Sequence, residues 1–196
     1  MRPLFMFPVL SIVLLSVVGC QTGKPISMTV TAKPTASNIQ NGDVLAPQRR
    51  AGLDIPALHG TEIVTVRTYE HTKKKDGGFV TSVELENVDC VLESDGFTAS
   101  VKTPAEVRVP DYGYASRPIS AKCNAPGFKT SYKNASAFNR TMEQRMSSAG
   151  SGGFAGVVVV ALINAASDIK KHDFGYRPIG VTMNRIGCEA SKVKCR

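Results

Sequence analysis

The sequence predicts an α+β chain: a small antiparallel β-sandwich, one glycine-rich apolar helix packed on it, and a disordered tether ahead of both. Three observations predict it. From Gly60 onward, short runs of β-branched or alternating apolar residues recur between turns containing Gly, Pro or Asp. One apolar block, Gly152–Ile163, continues through helix-favouring residues to Lys171. Gln21 to about Leu58 shows no sustained apolar period of either two or 3.6.

That first segment is rich in Thr, Ser, Pro, Asn, Gln and Ala and reads as a flexible tether. Random-coil scaling gives it a mean reach of roughly 30–40 Å. Met28–Ala32 is the one stretch there with room for a short strand. Glu62–Tyr69 is dense in β-branched residues and predicts the first full strand. Lys73 to Gly78 is a charged loop ending in Gly-Gly. Val83, Leu85, Val88, Cys90 and Leu92 then alternate, with a break at Asn87 that reads as a bulge. Ser94-Asp95-Gly96 predicts a hairpin turn, because Gly accepts positive φ and Asp bonds to the backbone ahead of it.

Phe97, Ala99 and Val101 form the return strand, and Thr103-Pro104 ends it, since Pro lacks a ladder donor. Val107 and Val109 begin another strand, and Ile119, Ala121 and Cys123 a further one, before the turn Ala125-Pro126-Gly127-Phe128. Phe138, Met142 and Met146 stand four apart within Ala135–Ser148, which suits a short amphipathic helix. The glycine-rich helix is expected over about 152–171, buried against the sheet, with Gly152 and Gly156 on one face where another backbone could approach. A membrane-touching or self-associating helix, and a strand over the four consecutive valines, are the competing readings. Its apolar core of about ten residues is short of the roughly twenty that a membrane span needs. A last strand over about Pro178–Asn184 precedes a small loop from Cys188 to Cys195.

The N-terminus carries an address. Arg2 precedes an apolar run from Leu4 to Val18, and Val17-Val18-Gly19-Cys20 closes it. A cationic end, a short apolar block and a small residue make a secretory signal. Val17-Val18-Gly19-Cys20 resembles the lipobox of bacterial lipoproteins. That resemblance implies cleavage before Cys20, a diacylglycerol on its sulfur and a further acyl chain on its amine. Two or three chains make anchoring stable where one is marginal. Gln21 rather than Asp as the second mature residue implies, by resemblance to sorted enterobacterial lipoproteins, the outer membrane with the protein facing the periplasm. The expected division is 1–19 signal peptide, 20–58 lipidated N-terminus and tether, and 59–196 β-rich domain.

Removing the signal takes Arg2 with it, leaving 23 basic against 16 acidic residues and a net charge near +7. For an exported chain this disfavours nucleic acid as a partner and leaves anionic lipid, lipopolysaccharide or envelope proteins. Solvated faces are the plainer account of the short basic clusters, Lys73-Lys74-Lys75, Lys170-Lys171-His172, and Lys192, Lys194 and Arg196. With Cys20 acylated, Cys90, Cys123, Cys188 and Cys195 remain, an even number in an oxidising compartment. Cys90–Cys123 and Cys188–Cys195 is the favoured one of three connectivities: one pair lies within the β-rich block, and the other closes a short loop. Zinc is improbable without a Cys-x-x-Cys pair or clustered histidines.

Chemistry is sparse. His59, His71 and His172 have no nucleophile or carboxylate at an informative spacing, and the last two sit beside lysines, which repel metal ions. No Gly-x-Ser-x-Gly, His-Glu-x-x-His or phosphate-binding Gly-Lys-Thr occurs. Tyr112 and Tyr114, in the loop from Pro110 to Pro118, are the candidate contact residues. Cys90-Val91-Leu92, Asp95-Gly96, Thr103-Pro104-Ala105-Glu106-Val107-Arg108-Val109, Ala121-Lys122-Cys123 and Pro126-Gly127-Phe128 resemble the surface domains of small bacterial lipoproteins related to PEGA modules. The resemblance covers roughly residues 83–132 and loosely reaches Met183. It implies a β-rich fold and no catalysis, and it transfers no functional residue. The expectation is a non-enzymatic, cofactor-free envelope lipoprotein with a binding or structural role. The alternative is a membrane-active or self-assembling component that uses the glycine-rich helix.

Overall fold

A computed structural model describes residues 23–73, 80–149 and 153–187. Its elements run β1 (Met28–Thr31), β2 (Lys33–Pro34), α1 (Ala46–Arg50), β3 (Gly60–Lys73), β4 (Val80–Leu85), β5 (Asp89–Ser94), β6 (Phe97–Lys102) and β7 (Ala105–Asp111). β8 (Ile119–Asn124), β9 (Ser131–Ala135), β10 (Phe138–Asn139), α2 (Arg140–Ala149), α3 (Gly153–Ala166), β11 (Phe174–Gly175) and β12 (Ile179–Thr182) follow. Strand dominates and helices are few, a β-rich α+β fold.

One five-stranded sheet has the order β1-β7-β3-β12, with β4 also on β3; the other runs β2-β6-β5-β8-β9. Long β3 is shared along its length: β7 pairs with Gly60–Val66 and β4 with Thr68–Lys73. The period of two decides which side chains are buried. Val64, Val66, Val107, Val109, Ile179 and Val181 from the first sheet, and Cys90, Leu92, Phe97, Ala99, Ile119 and Cys123 from the second, enter one buried cluster. The buried hydroxyls of Thr68 and Thr103 lie 2.7 Å apart in hydrogen-bond contact, and Thr68 Oγ1 also donates to the Leu85 carbonyl at 3.0 Å.

Four expectations are corrected. The pairing is not purely antiparallel, because β1 lies parallel to β7 and β12 parallel to β3. Both are long-range pairings that no local turn signal announces. Asn87 is no bulge: its φ of 58° turns the chain from β4, in the first sheet, to β5, in the second. From Gly23 on, the segment read as a tether is part of the fold. β1 adds a strand to the first sheet, β2 one to the second, and Val44, Leu45 and Ile55 are buried in the shared cluster. Three isolated apolar residues, held by tertiary contacts alone, leave no periodic signal.

The fourth concerns the glycine-rich helix. α3 spans Gly153–Ala166, and a 3₁₀ turn at Ile169–Lys171 follows it. Its main neighbour is α2 rather than a sheet. Arg145 of α2 donates to Asn164 Oδ1 at 3.1 Å and to Ser167 Oγ at 2.9 Å, fastening the pair near the C-terminal end of α3. Val158, Val159, Leu162 and Ile163 are exposed, Leu162 to 67%. Met142 and Met146, expected on the buried side of α2, are exposed as well. Among the described residues, no helix is long and apolar enough to cross a membrane.

Candidate functional site

Val17-Val18-Gly19-Cys20, expected from the sequence to be a lipobox, and the expected Cys188–Cys195 pair lie outside the described residues. Cys90 and Cys123 do meet. β5 and β8 run antiparallel with these two residues directly opposite, and their sulfurs form a disulfide. Both are buried, one on each of two neighbouring strands, so the crosslink braces the centre of the second sheet.

The chain enters the fold on the outer side of the first sheet. Lys24 N–H donates to Glu84 Oε2 at 2.9 Å, and Arg67 Nη1 donates to the Lys24 carbonyl at 2.8 Å. Arg67 also pairs with Glu84, and Lys24 Nζ with Glu86 at 2.7 Å. The Glu86 carboxylate, by hydrogen bond and charge, raises the Lys24 pKa. Ser27 then donates its backbone N–H to the Pro104 carbonyl at 2.9 Å, and β1 begins. The first described residues are therefore fixed against the sheet by paired charges and backbone hydrogen bonds. The carboxylates of Glu84 and Glu86 are both engaged in this junction.

The two candidate contact residues of the loop after β7 have different settings. Tyr112 is 2% exposed, and its hydroxyl accepts the Leu45 N–H at 3.2 Å and donates to Asp43 Oδ1 at 2.9 Å. Burial, reinforced by the adjacent Asp43 carboxylate, pushes its pKa up to about 12. Burial would raise the Asp43 pKa too, but hydrogen bonds from Arg49 and Tyr112 outweigh it and the net displacement is downward. Tyr112 is thus a clasp over the Asp43–Arg49 segment and cannot be a surface contact. Tyr114 is partly exposed. Its hydroxyl donates to Asp54 Oδ1 at 2.9 Å while Lys170 Nζ lies 5.5 Å from its ring centroid, a cation–π contact.

The histidines have three different settings. His59 lies beside Gly113, His71 Nε2 is 3.3 Å from Thr182 Oγ1, and His172 Nδ1 is 2.8 Å from Asn139 Nδ2. Among the described residues, no group of three or more His, Cys, Asp or Glu is placed to hold a metal ion. Sequence reasoning missed the N-terminal junction. Its only signal was the charge alternation of Lys24, Arg67, Glu84 and Glu86, which becomes legible once β3 and β4 are paired. Comparison with family models, with curated proteins and with solved structures finds no match to this chain.

Proposed function

We propose that the protein is a lipid-anchored envelope lipoprotein of the outer membrane, facing the periplasm, with a binding or structural role and no catalysis. Cleavage before Cys20 and acylation of that residue leave a domain read as a small β-sandwich of the PEGA-like kind held at the membrane. The observation that carries the reading is the conjunction of Val17-Val18-Gly19-Cys20 with a buried Cys90–Cys123 disulfide. A disulfide persists in oxidising compartments, which is where a chain with this N-terminus would be delivered. Feeding cells an alkyne-tagged fatty acid tests it. Label should enter the wild-type chain and be lost in Cys20→Ala, with the protein moving from the membrane to the soluble envelope fraction. Equal labelling of both chains, or none of either, would remove the reading.

A second reading rests on α3. A helix without a polar face is usually a buried one, yet Val158, Val159, Leu162 and Ile163 are exposed to solvent. We read this helix as an assembly element, so the lipoprotein would act as a subunit of a larger envelope structure. Sedimentation of the Cys20→Ala chain without detergent separates the two: a monomer at all concentrations counts against assembly.

A further inference from the structure

We infer that the outer side of the first sheet, around Lys24, Arg67, Ser82 and Glu84, lies against the lipid bilayer, with no spacer between anchor and fold. The inference rests on the acylation of Cys20 proposed above. What it adds is a face and a distance. A lipoprotein with a disordered tether over 20–58 would float its domain some tens of ångströms from the membrane. This chain has no such slack, because it is fixed from Gly23 onward.

The leash is short enough to decide the geometry. Only Gln21 and Thr22 separate Cys20 from Gly23. Fully extended, three residues span about 10 Å. Gly23 itself has little freedom: a Cβ built on it would lie 2.8 Å from Arg67 Nη1, so it is seated directly on that guanidinium. Lys24 is held on both sides, its N–H by Glu84 and its carbonyl by Arg67. An acyl-bearing Cys20 therefore draws this patch to within about 10 Å of the headgroups.

The side that meets the bilayer is identified by strand parity. Val64, Val66, Val107, Ile179 and Val181 point into the buried cluster, so the intervening Arg67 and its register partner Gly180 point away from it. Glu84 and Ser82 stand opposite Tyr69 and His71, on that same outward side. Ile63, His71, Ser82 and Arg108 are exposed there. Charge does not drive the contact, because Lys24 and Arg67 already pair with Glu86 and Glu84. The anchor does, by holding one face down. The second sheet turns Ser100, on the outward side of β6, toward the aqueous compartment.

The test uses the acylated full-length chain in its membrane. Two variants, Ser82→p-benzoylphenylalanine and Ser100→p-benzoylphenylalanine, are irradiated and phospholipid adducts are measured by mass spectrometry, with fatty-acid labelling of the same samples. Adducts are expected at Ser82 well above those at Ser100. A spacer of 20 Gly and Ser residues between Thr22 and Gly23, with a mean reach of about 25 Å, should lower the Ser82 yield to the Ser100 level. Labelled protein with equal yields at both positions would overturn the inference and leave the lipoprotein reading standing. A Ser82 yield that survives the spacer would also overturn it. Unlabelled protein would overturn the lipoprotein reading, and this inference with it.

Discussion

Replacing Leu45 by Ala separates a folded N-terminal segment from a tether. Leu45 is 0% exposed and belongs to the shared buried cluster, although it lies in a stretch with little regular structure. Its backbone N–H is fixed by Tyr112, so the surroundings cannot easily collapse into the space vacated. Truncating a buried Leu costs the transfer free energy of the lost atoms plus a cavity term, together about 2–5 kcal/mol. The rigid Tyr112 clasp places the expected loss near the middle of that range, about 3 kcal/mol. Leu53, eight residues on, is 53% exposed, so Leu53→Ala is the matched control and should cost less than about 0.5 kcal/mol. Urea unfolding followed by circular dichroism measures both, since the chain has no Trp. Equal midpoints for the two variants, within error of wild type, would refute the integration of this segment.

Other expectations follow from the same contacts. The Cys90–Cys123 crosslink closes a sequence separation of 33 residues. On the chain-entropy model its reduction should remove about 3–4 kcal/mol, read as a lower urea midpoint in the presence of reductant. Tyr112→Phe leaves the buried Leu45 N–H without its acceptor and should cost about 1–3 kcal/mol by the same assay. Burial raises the pKa of Tyr112, and that of Tyr176 likewise, to about 12 from an ordinary 10. Their contribution to stability is therefore complete below pH 10 and lost as pH rises through 12. Alkaline unfolding in that window should coincide with tyrosinate absorbance; a titration completed near pH 10 without unfolding would contradict the burial. Gly96→Ala should destabilise on two counts: φ there is +88°, and a Cβ would meet Val44 Cβ at 2.8 Å.

The strands were legible where local signals agreed with tertiary ones. Glu62–Tyr69 lies within β3, and the Ser94-Asp95-Gly96 turn joins β5 to β6. The Cys90–Cys123 pairing could be anticipated because both residues lie within one β-rich block, and β5 and β8 set them directly opposite. Illegible features depended on partners distant in sequence. Val44 and Leu45 are buried because Tyr112 and the Gly96 turn approach them, and neither is encoded in a periodic pattern nearby. β1 and β12 pair parallel to strands far away along the chain, where a turn cannot set the register. For α3 the helix was readable from composition, but its seat was not. A helix that is apolar on nearly every side gives no sign of which side faces a neighbour, and the expected burial on the sheet gives way to exposed Val159 and Leu162. Tyr112 misled because aromatic residues in a Pro-bounded loop look alike whether they serve a ligand or the core.

On the proposed function, residue 20 becomes the acylated N-terminus of an exported chain. Intact-mass measurement of the protein extracted from membranes tests it most directly. The prediction is a polypeptide that starts at Cys20, carries a diacylglycerol and a further acyl chain, and is lighter by two hydrogens for the Cys90–Cys123 bond. An unacylated chain that retains residues 1–19, with Cys90 and Cys123 as free thiols, would contradict it.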